Sequence, residues 1–288
     1  MRLRFLPALA VLAAFGCKTT TPTPIVQIAP RQWTATAPIF DHVILIVLEN
    51  ENAANVPKVG YLDSLAKRGA SLTMFHGVAH PSYPNYLALV GGHTFGVRGD
   101  EQADIDAPTI ADRLEAKGLT WRQYAEDYPG KCFLGDAHKL YVRKHTPFLS
   151  FASIQSNPKR CANVVNARQF DRNKLPAYAF YTPNMDNDGH NTSLAFATRW
   201  LRGFIEPILA DSALMQRTLI VVTFDESERG EASNQIYTVL LGGMVKPGAT
   251  DSTALNHYNL LRTVEANFAL EPLGEERNVT PITEIWKE

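Results

Sequence analysis

The order of apolar and polar residues along the chain predicts buried strands that alternate with helices. Residues 42–48, HVILIVL, are apolar and largely β-branched without interruption, which is typical of a strand covered on both faces. Similar runs at 177–182 and 218–224 predict two further strands. Residues 192–209 predict a helix, because apolar side chains recur near helical spacing at Leu194, Trp200, Leu201, Phe204 and Leu209. This alternation predicts an α/β fold with a mainly parallel central sheet and helices on both faces.

Polar residues follow each of these three strands at the point where it ends. Glu49 and Asn50 come after the first strand, and Asp225 and Glu226 come after the last. The middle strand leads into a polar set that contains Asn184, Asp186, Asp188 and His190. A solvated loop or a helix cap is the ordinary place for any one such acid. Carboxyl ends of parallel strands, however, meet at one edge of a sheet, where ligands bind, so we expect these side chains to converge.

Converging carboxylates and histidines are typical ligands of a divalent cation. Zinc accepts histidine nitrogen and carboxylate oxygen, whereas magnesium, manganese and calcium prefer oxygen-rich sites. The residues therefore predict a divalent metal cofactor, with one or two ions, and leave the identity of the metal open.

Residues 80–86, HPSYPNY, place a serine between two prolines just before an apolar run that ends at Gly91 and Gly92. Proline is tolerated in the first turn of a helix and glycine commonly ends one, so we expect a short helix that begins near Ser82. Free amides at a helix N-terminus favour an anion. Ser82 is either a plain helix cap or a nucleophile whose hydroxyl a bound cation activates.

The first residues, MRLRFLPALAVLAAFGC, have the basic start and short apolar run of a secretory signal. We expect a signal peptide over 1–17 with a lipobox at Cys17, although Phe15 fits such a box poorly and ordinary cleavage stays open. The Thr/Pro-rich residues that follow predict a flexible tether over 18–39, ahead of one domain over 40–288. The expected location is the cell envelope, as an outer-membrane or periplasmic lipoprotein, or outside the cell. Membrane contact is then expected only through the lipid.

Charge and cysteine content narrow the possible partners and the compartment. The 288 residues contain 28 Lys and Arg against 29 Asp and Glu, and no basic run indicates a nucleic-acid partner. Besides Cys17, the cysteines are Cys132 and Cys161. An oxidising compartment would join them in a disulfide, whereas two unrelated buried thiols are the alternative.

Seven motifs occur in order from about residue 40 to the C-terminus: LEN, HPSYPNYLALVGGHTFGV, WRQYAED, RKHTPF, PNMDNDGH, VVTFDES and NHYNLLRTVE. Together they resemble the phosphoesterase family of bacterial and fungal acid phosphatases and bacterial phospholipases C, within the alkaline phosphatase superfamily. Glu226 stands where the wider superfamily commonly has histidine, which leaves zinc in doubt at that position and the number of ions open.

The resemblance implies roles for individual residues. It implies a catalytic set of Ser82, as nucleophile, with His145 and His257. The metal ligands that it implies are Glu49, Asn50, Ser82, Asp188, His190, Asp225, Glu226 and His257. The substrate contacts that it implies are Asn85, His145 and His190. For the remaining histidines we expect structural or exposed positions at His42, His76, His93 and His138, and a role in shaping the turn at His80.

The expected function is an exported, metal-dependent, acid phosphatase-like enzyme. It would hydrolyse phosphomonoesters, including lipid phosphomonoesters, through a phosphoserine intermediate at Ser82. A phospholipase C that cleaves phosphodiesters is the nearest alternative, and a non-catalytic surface lipoprotein is an alternative of another class. A sulfatase is not expected, because Tyr86 stands where that pattern needs arginine. A lipase-type nucleophile elbow is excluded, because His80 and Pro84 replace its flanking glycines.

Overall fold

The computed structural model describes residues 33–274 and 279–287. Its strands are β1 (His42–Leu48), β2 (Ala70–Leu72), β3 (Phe75–His76), β4 (Trp121–Ala125), β5 (Ala137–His138), β6 (Tyr141–Val142), β7 (Val164–Asn166), β8 (Tyr178–Thr182), β9 (Thr218–Phe224), β10 (Thr238–Leu241), β11 (Ala249–Asp251) and β12 (Leu255–Asn256). Its α-helices are α1 (Gly60–Arg68), α2 (Ser82–Gly91), α3 (Ile110–Ala116), α4 (Ala152–Gln155), α5 (Pro158–Cys161), α6 (Leu194–Leu209), α7 (Ser212–Met215) and α8 (His257–Asn267).

Eight of these strands form the central sheet, in the order β11-β2-β10-β9-β1-β8-β4-β7. The five strands from β9 to β7 run parallel, and β10 is antiparallel to both of its neighbours. All residues of β8 and β9 are buried, as expected for strands covered on both faces. The predicted α/β fold with a mainly parallel central sheet is confirmed.

Strand β1 holds the centre of the sheet. It pairs with β9 along its whole length, so that Leu48 lies opposite Phe224, and it pairs with β8 on its other side. This arrangement brings the ends of the three predicted strands to one edge. The short strands β2 and β3 follow each other closely along the chain but join different sheets.

The signal peptide 1–17, the lipidation site Cys17 and the tether up to residue 32 lie outside the described residues. Within the remainder of the predicted tether, the Trp33 ring lies edge-on to the Trp286 ring, with centroids 5.9 Å apart. The Ile39 amide donates to Oδ1 of Asn267 at 2.8 Å. Among the described residues, none of the helices combines the length and the apolar composition needed to cross a bilayer.

The predicted disulfide is present between Cys132 and Cys161, whose Cα atoms lie 5.7 Å apart. It ties the loop after β4 to the short helix α5. Since the two cysteines are separated by 29 residues, the bond restricts a long loop in the unfolded chain.

Removing this bond is expected to lower the free energy of unfolding by about 3–4 kcal/mol, from the entropy of a loop of this length. Denaturant unfolding of Cys132→Ser/Cys161→Ser beside the wild type measures the loss. The wild type should become less stable when reductant is added, whereas the double variant should not respond. Equal stability of the oxidised wild type and the double variant would contradict the prediction.

Candidate metal and phosphoryl-transfer site

The ends of β1, β8 and β9 bring the predicted acids together. The Glu49 amide donates to the carbonyl oxygen of Asp188 at 3.0 Å, and the Asp225 amide donates to that of Leu48 at 3.0 Å. Asn50 has a φ of +52°, a left-handed conformation that asparagine adopts more readily than most residues. Its amide thereby donates to Oδ1 of Asp225 at 3.1 Å. The expected convergence at one sheet edge is therefore found.

Ser82 is the first residue of α2 and lies between two carboxyl groups. Its Oγ is 2.6 Å from Oε1 of Glu49 and 2.9 Å from Oε1 of Glu226. The residue is 2% exposed, yet it lines an open cavity of about 940 Å³. The sequence places it there because Pro81 and Pro84 favour a helix start and the glycine end at Gly92 has a left-handed φ of +66°.

The pKa values of the two carboxyl groups beside Ser82 are shifted in opposite directions. Burial opposes ionisation of Glu49, but the charges of His145 and Lys144 outweigh it and lower its pKa to about 2. Burial raises the pKa of Glu226 above its ordinary value. A hydroxyl has one proton, so Ser82 can donate to only one carboxylate. Glu49 is the natural acceptor, and Glu226 can donate to Ser82 while it is protonated.

A second group forms around Glu49, His145 and Asp188, all buried, whose ligand atoms lie within 4.8 Å of one another. Nε2 of His145 is 2.8 Å from Oε2 of Glu49, and Nδ1 is 3.4 Å from Oδ2 of Asp188. Burial alone would lower the pKa of His145, but the two acids raise it to about 10. The sequence interpretation gave His145 no metal role, so its place in this cluster is new information from the structure.

Asp225 completes the acidic group. It is fully buried, and burial followed by the charges of Glu49 and Glu226 holds its pKa well above the ordinary range. Three carboxyl groups this close repel one another when ionised. A divalent cation would relieve that repulsion.

Unpartnered atoms test whether a metal ion fits this site. Among the described residues, two buried acceptors of the site have no hydrogen bond, Oδ2 of Asp225 and Nδ1 of His257, and Oδ2 of Asp188 has only the 3.4 Å contact with Nδ1 of His145. Buried polar atoms are normally satisfied, so such a cluster of acceptors needs a partner. Two carboxylate oxygens in a group with a third, low-pKa carboxylate fit a divalent cation.

Three residues beside Ser82 gained no firm role from the sequence. Lys144 places Nζ 3.5 Å from Oγ of Ser82 and binds Asp100 at 2.9 Å. Tyr86 donates to Oε2 of Glu49 at 3.1 Å and stacks on His145. His80 contacts Glu226 through Nδ1. All three residues lie next to the motif residues Ser82 or His145 in the sequence or close to them. A motif alone does not show which of the neighbouring side chains point toward the site.

In this structure the side chain of Asn85, for which a contact with phosphate is predicted, bonds to the backbone of its own turn. Its Oδ1 accepts from the amides of Val78 and Ala79 at 2.8 and 3.0 Å. Its Nδ2 donates to the carbonyl oxygens of Ala79 and Pro81 at 2.8 and 3.2 Å. The side chain is fully buried and has no capacity left for a ligand. The hydrogen bonds of Asn85 stabilise the turn that leads into Ser82.

We expect Asn85→Ala to lower the free energy of unfolding by about 3 kcal/mol, because it leaves several backbone groups of the turn unpaired. Denaturant unfolding measures this loss, with Asn173→Ala as the control, since Asn173 is exposed and bonds only within its own turn. The structural role of Asn85 would be contradicted if the variant kept its stability while its inhibition constant for inorganic phosphate rose about tenfold, equivalent to ~1.4 kcal/mol.

Two predicted histidine ligands lie elsewhere. The His257 ring is fully buried, and Nε2 donates to the carbonyl oxygen of Asp225 at 2.6 Å, so the ring supports Asp225 and does not line the cavity. Burial lowers the pKa of His257 to about 4, so the ring is neutral. The His190 ring is exposed, and its Nδ1 lies 3.0 Å from Oδ1 of Asn191. His190 lines the cavity mouth, where it can meet substrate, but it does not join the acid cluster.

The four histidines expected to be structural each contact the backbone. Nδ1 of three of them lies near a carbonyl oxygen, and that of the fourth accepts from an amide: His42 with Pro176, His76 with Leu255, His138 with Asp127 and His93 with Phe95. Among the described residues, none of the four lines the cavity around Ser82.

The structural comparison shows which known proteins share this fold. A protein of the alkaline phosphatase superfamily from Vibrio parahaemolyticus superposes with a TM-score of 0.57 and 12% identity, over 81% of this chain and 67% of that one. Murine ectonucleotide pyrophosphatase/phosphodiesterase 5 superposes with a TM-score of 0.54 and 10% identity, over 81% of this chain and 96% of that one. These likenesses establish the fold and leave the reaction to the site.

Sequence comparison gives closer relatives. A probable acid phosphatase of Kluyveromyces lactis is 38% identical over 85% of this chain and 62% of its own length. An acid phosphatase of Aspergillus fumigatus is also 38% identical, over 82% of this chain and 56% of its own. This chain thus spans about three fifths of the fungal relatives. A phosphatidylinositol-3-phosphatase of Mycobacterium tuberculosis is 35% identical over 86% of this chain and 84% of its own length.

The family model agrees with these relatives. The model of the Phosphoesterase family matches residues 54–271, which is most of the chain and includes Ser82, Asp188 and Asp225. With acid phosphatases among its relatives and the fold of the alkaline phosphatase superfamily, this chain belongs to the Phosphoesterase family.

Proposed function

We propose that this protein is an exported, metal-dependent phosphatase that hydrolyses phosphomonoesters with Ser82 as nucleophile. The observation that carries the proposal is the position of the Ser82 hydroxyl. It lies at a helix N-terminus, within hydrogen-bond distance of Glu49 and Glu226, at the wall of an open cavity. A nucleophile that must lose its proton needs such neighbours.

The chemistry follows from the residues in place. The Ser82 proton passes to a neighbouring carboxylate, and Oγ bonds to phosphorus as the ester P–O bond breaks and the alcohol leaves with a proton from solvent. Lys144 holds its ammonium group beside Oγ and can bind a phosphoryl oxygen. Water then attacks phosphorus as the bond from Oγ to phosphorus breaks, Ser82 regains its proton from that carboxylate, and the proton lost by the water goes to solvent. A divalent cation held by Glu49, Asp188, Asp225 and Glu226, with His145 beside them, would favour the serine alkoxide and neutralise phosphoryl charge.

The substrate comparison tests this proposal against the phospholipase C alternative. Purified protein should hydrolyse p-nitrophenyl phosphate much faster than bis-p-nitrophenyl phosphate, and chelation should stop the reaction until a divalent metal is restored. The printed name of the mycobacterial relative makes phosphatidylinositol 3-phosphate the first lipid monoester to try, beside phosphatidylcholine as the diester. A preference for either diester would favour the alternative. Full metal occupancy without turnover of any ester would favour the non-catalytic protein.

Export and lipid attachment remain part of the proposal. The Cys132–Cys161 disulfide supports an oxidising compartment, since cytosolic thiols are kept reduced. Labelling cells with a radioactive fatty acid would show attachment at Cys17, and Cys17→Ser should abolish it.

A further inference from the structure

The cavity around Ser82 contains two arginine side chains that the proposed reaction does not use. Arg98 lies on the loop after α2, and Arg229 lies on the loop after β9; both line the cavity and both are exposed. Neither guanidinium forms a hydrogen bond or an ion pair with any residue of the described ranges. Both guanidinium groups therefore have hydrogen-bond donors available for a ligand that enters this cavity.

Two neighbouring acids of the same cavity already have hydrogen-bond partners in the protein. Asp100 binds the ammonium of Lys144, and the Glu228 carboxylate accepts from Nδ2 of Asn52 at 2.7 Å. The deeper acids are those assigned to the cation. The two arginines thus remain the cationic groups of the cavity without a protein partner, and guanidinium groups bind carboxylate and phosphate oxygens well.

We propose that Arg98 and Arg229 form a subsite for a second anionic group on the substrate. This inference rests on the proposed phosphatase function and specifies its substrate class: a phosphomonoester whose alcohol part carries a carboxylate or another phosphate. The scissile phosphate lies at Ser82, and the second anion lies nearer the cavity mouth. An exposed ion pair contributes up to about 1 kcal/mol, so two such pairs favour the doubly anionic substrate by about tenfold or more.

A matched substrate pair tests the subsite. In glycerol 3-phosphate a hydroxymethyl group stands where 3-phosphoglycerate has a carboxylate. The Arg98→Gln/Arg229→Gln variant is expected to raise KM for 3-phosphoglycerate about tenfold, from the loss of two exposed ion pairs, and to leave its kcat unchanged. Its kinetics with glycerol 3-phosphate should stay within about twofold of the wild type, an effect below 0.5 kcal/mol. Arg168→Gln, an exposed arginine outside the cavity, is the control.

The outcomes separate this inference from the proposed function. No hydrolysis of glycerol 3-phosphate or p-nitrophenyl phosphate by the wild type overturns the phosphatase. Hydrolysis of both glycerol-derived substrates, with KM values that the double variant leaves unchanged or raises equally, overturns the subsite alone. A selective rise for 3-phosphoglycerate that weakens at high salt supports the subsite, because salt screens exposed charges.

A different observation concerns Glu126, the first residue after β4 and part of the WRQYAED motif. Both oxygens of its carboxylate accept hydrogen bonds, at 2.6–3.3 Å, from four donors: Tyr181 Oη, Trp200 Nε1, the amide of Asn184 and Asn187 Nδ2. Two of these donors belong to the loop that ends at Asp188, and Asn187 directly precedes it. The same carboxylate therefore joins β8, α6 and this loop.

We propose that Glu126 is a positioning residue that holds Asp188 in the cation site. Oδ1 of Asp188 accepts from the His190 amide at 2.8 Å, so the carboxylate is oriented relative to its own loop. The position of that loop depends on other contacts, since the Asp188 carbonyl oxygen accepts from Glu49 and the Asp188 amide donates to Asn184. Groups behind a metal ligand commonly change metal affinity or activity by about 10–100-fold when they are replaced.

Metal affinity provides the test, because a merely structural bond would leave it unchanged. Glu126→Gln retains the shape of the side chain but replaces one accepting oxygen with an NH2 group, which cannot accept hydrogen bonds from the donors around it. We expect metal affinity and kcat to fall by about 10–100-fold. Glu115→Gln is the matched control, because Glu115 accepts from the Trp121 indole outside the site. Both variants should have a lower melting temperature than the wild type. Metal affinity and kcat are therefore measured at a temperature below the melting transitions of both variants. Folded Glu126→Gln with wild-type metal affinity would overturn the inference.

Discussion

Ser82→Ala is expected to lower kcat for p-nitrophenyl phosphate by at least about 1,000-fold, because no other group can form the covalent bond to phosphorus. The loss should leave the fold intact, since alanine is a good helix former and Ser82 provides no cap to α2. Metal content should also persist, because the carboxylates of Glu49, Asp188 and Asp225 remain. Initial rates under saturating substrate measure the effect, and Ser156→Ala, at an exposed serine that directly follows α4, is the control.

Trapping the intermediate separates a nucleophilic serine from a serine that only orients water. Acid quenching during turnover of a substrate labelled in its phosphate should leave label on the wild-type protein, in the peptide that contains Ser82. The Ser82→Ala variant should retain none. Wild-type turnover with no label at any time point, or a variant that keeps full turnover, would contradict the covalent route.

Asp225→Asn is expected to weaken metal binding by at least about 100-fold, the upper range for groups that support a metal site. The same change should stabilise the metal-free protein. Ionised Asp225 lies fully buried beside Glu49 and Glu226, and this repulsion with burial raises its pKa. An asparagine still accepts from the Asn50 amide and carries no charge beside the two acids. Each kcal/mol gained raises the melting temperature of a domain this size by about 2–4 °C.

Thermal melts with and without chelator measure both effects. The wild type should gain stability when metal is added, by mass action, whereas Asp225→Asn should gain little. Asp186→Asn is the matched control, because Asp186 lies in the neighbouring loop and its Oδ1 accepts from Asn191. A chelated Asp225→Asn protein that melts below the chelated wild type would mean that the carboxylate stabilises the empty fold, against the prediction.

Part of the site was predictable from local sequence. Polar residues follow the buried strands of this chain, and the carboxyl ends of parallel strands meet at one edge of a sheet. Glu49, Asp188 and Asp225 could therefore be placed at one edge from the sequence. The Pro–Ser–x–Pro order likewise predicted the start of α2 at Ser82. Other assignments depend on the direction of a side chain, which local sequence does not give. Asn85 turns back to its own loop, and His257 turns beneath the Asp225 carbonyl.

The sequence by itself determined the α/β class, the mainly parallel sheet, the cysteine pair and the edge at which the polar residues gather. Each of these follows from periodicity, burial or residue type over short stretches. Only the tertiary structure decided the partners of each polar atom: Ser82 between Glu49 and Glu226, and His145 between Glu49 and Asp188. Such contacts join residues far apart in the chain, and they depend on strand order and rotamers, which no local pattern specifies.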